Sequence, residues 1–104
     1  MKIGSKYKVR YIYKDYISKL EPNAEEWQKE NERQEMYESP TVILDKYVKI
    51  KDIKGIEEAT PRTRDTFERK DVYLLLLYGE EPVHVVIEDV VKFLNETDTE
   101  VDKQ

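Results

Sequence analysis

Residues able to do chemistry are few in this chain, and their spacing is poor. There is one histidine, His84, and it sits in the apolar run Val83-His84-Val85-Val86-Ile87. A zinc site would need further soft ligands beside it, and the chain has no cysteine. A serine nucleophile would need His84 as its base, yet Ser5, Ser18 and Ser39 lie in no nucleophile-elbow sequence. The glycines Gly4, Gly55 and Gly79 are too far apart for a phosphate-cradling loop. Carboxylates abound as neighbours, among them Glu25-Glu26, Glu57-Glu58 and Glu80-Glu81. An acid/base pair needs two groups in different environments, which adjacent surface acids do not provide. The sequence therefore predicts no catalytic residue, no metal site and no cofactor.

What remains is charge and aromatic surface. Net charge is −5, and it is segregated. Residues 1–20 carry +5, residues 21–40 carry −5, residues 41–80 balance, and residues 81–104 carry −5. Blocks of one sign steer partners of the other. In the acidic block, Asn23 with Glu26 three residues on resembles a capping box, and a helix is expected from about Ala24 to Tyr37. Its large apolar residues are Trp27, Met36 and Tyr37, too few for a core-facing stripe. Such a helix is either a solvated connector or a presented partner-binding element. In the second reading, Glu25, Glu26, Trp27, Glu30, Arg33 and Tyr37 would dock on a protein with a basic surface. A nucleic-acid-handling protein is one such partner, and inhibition by charge mimicry is one outcome.

The alternative site is basic. Lys6 to Tyr13 alternates, with Tyr7, Val9, Tyr11 and Tyr13 on one face and Lys8, Arg10, Ile12 and Lys14 on the other. This reads as a half-buried edge strand whose lysines deter aggregation. Farther on, residues 60–70 lack an apolar period and read as a long polar loop. Lys6, Lys8, Arg10 and Lys14, together with Arg62, Arg64 and Arg69, could hold phosphates of a nucleic acid.

The elements that must position these residues centre on Asp71 to Asn95. Val72 to Tyr78 is apolar throughout, which suits a strand covered on both faces. Gly79-Glu80-Glu81-Pro82 makes a short connection to a second strand, Val83 to Ile87. Val90, Val91 and Leu94 then fall at helical spacing behind Glu88 and Asp89. Upstream, Thr41 to Leu44 is expected to continue through Tyr47 to Ile50 as a strand. Asp52 to Gly55 reads as a turn or bulge before a last short strand with Ile53, Ile56 and Ala59.

The fold class expected is α+β: about five strands in a small curled antiparallel sheet or partly closed small barrel. One acidic helix is inserted at 23–38 and one short helix closes the C-terminal side. The whole is a single domain over 1–95, and residues 96–104 are expected to form a disordered acidic tail. The doubly apolar strand needs a second cover, from sheet closure or from a second copy, so a homodimer is possible. Without cysteine, a signal-like apolar start or a membrane-length apolar run, a cytoplasmic setting is expected. The span Val48 to Leu94 resembles the small flagellar FlbD-type proteins in apolar alternation, and no residue or function is carried over from it. The chain's many charges and tyrosines also resemble the small accessory proteins of phages and mobile elements.

Overall fold

The computed structural model describes residues 5–97. Five antiparallel strands form one open sheet, flanked by three helices. In chain order these are β1 (Lys6–Lys14), α1 (Glu26–Glu38), β2 (Thr41–Lys49), β3 (Ile53–Glu58), α2 (Pro61–Phe67), β4 (Val72–Leu77), β5 (Val83–Val86) and α3 (Val90–Thr97). A 3-10 turn at Ile50–Asp52 joins β2 to β3. The sheet order is β2-β1-β5-β4-β3, and its ends do not meet, so the α+β class holds without barrel closure.

The apolar hairpin forms the heart of the sheet. Val72 pairs with Val86, Tyr73 with Val85, Leu74 with His84 and Leu75 with Val83. The reversal needs Gly79, whose φ of +75° lies where a side chain would be strained. β4 packs on both faces, though less completely on the second, where Leu74 and Leu76 are only partly buried. On one face Leu75 and Leu77 join Val9, Val85, Ile87 and Phe93, with Tyr7 and Tyr11 packed against them. On the other, Val72 joins Ile12, Ala59 and Val86. Full burial of a side chain such as Leu75 contributes about 1.5–3 kcal/mol.

The first face is roofed by α3. Its N-terminus is capped by Asp89, whose Oδ1 accepts the Lys92 N–H at 3.0 Å. The stripe that packs differs from the sequence expectation. Val90 and Phe93 face the sheet, while Val91 and Leu94 are exposed. Phe93 wins because its ring stands edge-on to Tyr7, centroids 5.4 Å apart. The helix also runs past residue 95, and the Tyr7 hydroxyl donates to Glu96 Oε1 at 2.8 Å. Residues 96 and 97 are thus helical rather than tail, and the rest of the expected tail, 98–104, lies outside the described residues.

The second face is partly roofed by α2, where the sequence suggests a loop. Thr60 is its cap, accepting the Thr63 N–H at 3.2 Å. Pro61 occupies the first turn, where its fixed φ suits the helix. Glu68, with φ of 54°, terminates it in the left-handed region. A seven-residue helix needs only one apolar anchor, here Phe67 against the second cluster, so no periodicity betrays it.

A further correction concerns β1. It is an inner strand, paired along its whole length with β2 and at Arg10 and Tyr11 with β5. The edges are β2 and β3. β1 also serves both cores, since Val9 is buried on one face and Ile12 on the other. Tyr13, expected on the inner face, is 44% exposed. No helix is long and apolar enough to cross a membrane among the described residues.

Candidate functional site

α1 begins where the backbone N–H of Glu25 donates to Gln28 Oε1 at 2.9 Å, two residues later than the Asn23 start suggested by sequence. Acidic residues recur along it and apolar ones do not, so it has no stripe to bury. None of its thirteen residues is buried. Trp27 is 63% exposed.

Polar ties hold the helix to the domain. The Tyr16 hydroxyl donates to Glu35 at 3.0 Å and to Glu32 at 3.3 Å. Ser18 Oγ donates to both carboxylate oxygens of Glu32 at 2.9 Å. At the C-terminal end, Lys14 Nζ donates to the carbonyls of Tyr37 at 3.0 Å and Ser39 at 3.1 Å. The same ammonium lies 5.8 Å from the Tyr37 ring and 5.9 Å from the Phe67 ring. Tyr37 Oη donates to Glu68 in a short contact with the end of α2. These carboxylates disfavour phenolate. Partial desolvation and the bond to Glu35 push Tyr16 up to about 12, and the bond to Glu68 raises Tyr37.

Between α1, α2 and the second sheet face lies an open cleft of about 740 Å³. It gathers Lys14, Arg33, Tyr37, Arg62, Phe67 and His84. His84 is half-buried, and desolvation lowers its pKa. Its ring lies 6.3 Å from that of Phe67. Arg33 pairs with Glu30 one turn earlier on the helix.

The predicted acidic site is thereby split. Glu30, Arg33 and Tyr37 line the cleft. Glu25, Glu26 and Trp27 lie outside its lining, at the exposed N-terminal turn, where Glu26 pairs with Lys29 at 3.7 Å. In the predicted basic set, Lys6, Lys8, Arg10 and Lys14 share one face of β1, and several of its members already have partners. Lys8 lies 3.9 Å from Asp45, and Arg10 lies 3.3 Å from Glu88. Lys14 is occupied by α1, and Arg69 makes a two-pronged pair with Asp71 at 2.8 and 2.9 Å. Only Lys14 and Arg62 of that set reach the cleft, whereas Lys6 and Arg64 are not among its lining residues. Tyr16, Ser18 and Glu68 were not singled out from sequence. Their partners lie 14 to 31 residues away, and no local pattern marks such contacts.

No protein-family model matches the chain, and neither the curated proteins nor the solved structures hold a match.

Proposed function

We propose that this chain is a non-enzymatic protein-binding module that presents α1 to a partner with a basic surface. The observation that carries the reading is a thirteen-residue helix without one buried residue and with Trp27 63% exposed. A helix of this length is marginal alone in water, and its own packing contributes little. Maintaining it by polar ties to Tyr16, Ser18 and Lys14 makes sense if the free face has a use. Glu25, Glu26 and Trp27 provide that face: acidic residues around an aromatic anchor, the pattern of a hot spot with a charged rim. Glu30, Arg33 and Tyr37 continue the surface into the cleft. A nucleic-acid-handling protein has the complementary charge, and a cytoplasmic setting suits such a partner. The competing nucleic-acid reading is weakened by the four basic residues already engaged by Asp45, Glu88, Asp71 and the Tyr37 and Ser39 carbonyls.

The test begins with capture on the immobilised chain from nuclease-treated lysate, followed by affinity measurement with the purified partner. Binding should weaken as salt rises. Trp27→Ala should weaken it by more than about 1 kcal/mol, roughly fivefold. Affinity indifferent to both would refute the reading. Binding abolished by nuclease would return the basic residues to consideration.

A further inference from the structure

The two edges of the sheet are built differently. β3 is guarded in the ways edge strands ordinarily are. Its pairing with β4 is broken by an irregularity between Ile53 and Gly55, and it carries Lys54, Glu57 and Glu58. β2 carries charges too, at Asp45, Lys46 and Lys49, but it has no such irregularity. Its register with β1 runs unbroken over nine residues, Lys6 opposite Lys49 through Lys14 opposite Thr41. It contains no proline or glycine, and it leaves Ile43, Leu44 and Tyr47 exposed, the last at 68%. No other strand pairs with its outer side among the described residues. An edge that is long, regular and exposes large apolar side chains is a template for another strand.

Symmetry restricts how β2 could meet its own copy. Two identical strands pair antiparallel about an axis perpendicular to the sheet, which keeps each face on its own side. The axis must then pass between one residue and itself. With Leu44 on the axis, Ile43 would oppose Asp45 and Val42 would oppose Lys46. With Lys46 there, two ammonium groups would meet and Ile43 would oppose Lys49. Asp45 is the middle residue of Thr41–Lys49, so that axis alone uses the strand's full length. It sets Ile43 against Tyr47 and Val42 against Val48, apolar with apolar on both faces, and lays the Lys46 stem on Leu44.

The cost of this register is Asp45 facing Asp45. Each carboxylate, however, has Arg10 as its cross-strand neighbour on β1 and Lys8 Nζ at 3.9 Å. Four cations would flank two carboxylates, and Glu88, 3.3 Å from Arg10, balances the remainder. The geometry points to β2 as a self-pairing edge: two copies of this chain join antiparallel through Thr41–Lys49, with Asp45 on the two-fold axis, into a continuous ten-stranded sheet. This inference stands apart from the role proposed for α1, which the register does not use.

A cysteine-free chain permits a register-specific test. Opposed antiparallel residues have Cα atoms about 4.5–5.5 Å apart, within disulfide reach of about 4.4–6.8 Å. Asp45→Cys should therefore cross-link to its own copy under mild oxidation. Ile43→Cys should not, since four residues of offset separate the two copies by about 14 Å. Mixing Ile43→Cys with Tyr47→Cys should yield a linked heterodimer. The unmodified chain should sediment at twice 12.5 kDa over a concentration series. Sedimentation at the single mass throughout would overturn the inference. So would cross-linking of Asp45→Cys no faster than that of Ile43→Cys. The measurement on the unmodified chain keeps the test decisive even if a variant folds poorly.

Discussion

Lys14→Ala should detach α1 without unfolding the domain. Two bonds from the ammonium to the Tyr37 and Ser39 carbonyls are lost, as is its place near two aromatic rings. A hydrogen bond to a charged group is worth about 1.5–3 kcal/mol net, a cation at a helix C-terminus about 0.3–1, and an exposed cation–π contact about 0.5–1. These contributions overlap in one ammonium, and one of the two bonds is exposed, so about 1–2 kcal/mol is the net expectation. Such a loss lowers the ratio of docked to undocked helix by about five- to thirtyfold. The global midpoint should move little, because α1 buries no residue and contributes nothing to either apolar cluster. Hydrogen exchange resolved by segment is the assay. Amides of Glu26–Glu38 should lose protection while those of β4 and β5 keep theirs, and Lys14→Arg should retain part of the effect. Equal loss of protection across the sheet would show that α1 is integral to the cooperative core. Unchanged protection in α1 would show that Lys14 is not its tether. Either result refutes the reasoning.

Leu75→Ala, at a wholly buried position where the first cluster meets β4, should cost about 2–5 kcal/mol, read as a lower denaturation midpoint with little change in slope. In the alkaline range, Tyr7 is the group to follow: desolvation, then its bond to Glu96, raises its pKa to about 12, whereas an unfolded tyrosine titrates near about 10. The raised value means the folded state holds the proton more tightly, so this contribution is complete below about 10 and is lost as pH rises toward about 12. Tyr7→Phe should flatten that part of the stability profile, and an unaltered profile would remove Tyr7 as its source.

Fold class was legible because β4 and β5 carry their signals within a few residues. An unbroken apolar run, a glycine turn and alternating valines suffice to place a hairpin, and Val90, Val91 and Leu94 behind Glu88 and Asp89 suffice to place a helix after it, though Phe93 and not Leu94 is the residue that packs. The α2 start was also written in Thr60-Pro61, but a helix anchored by Phe67 alone produces no period to recognise. The position of β1 was not legible. Its alternation fits an edge strand as well as an inner one, and only the full-length pairing of β2 decides between them. At the candidate site, α1 and its acidic character could be read directly. Its attachment could not, because Lys14, Tyr16, Ser18 and Glu68 reach it from distant segments.

One shortage underlies both surfaces put forward for binding. A five-stranded sheet has two faces and two edges to protect, and this chain has apolar residues enough for one face and part of the other. α3 roofs the first with Val90 and Phe93, and α2 brings only Phe67 to the second. Little apolar surface then remains to bind α1, so hydrogen bonds from Lys14, Tyr16 and Ser18 hold it in place. Nothing comparable shields the outer side of β2 among the described residues, where Ile43, Leu44 and Tyr47 stay exposed. An apolar residue facing water loses the stabilisation that burial would give it. Ile17, Tyr78, Val91 and Leu94 share that exposure as scattered residues, whereas Trp27 on the acidic helix and the row on the β2 edge are the two surfaces where association is proposed to recover the loss.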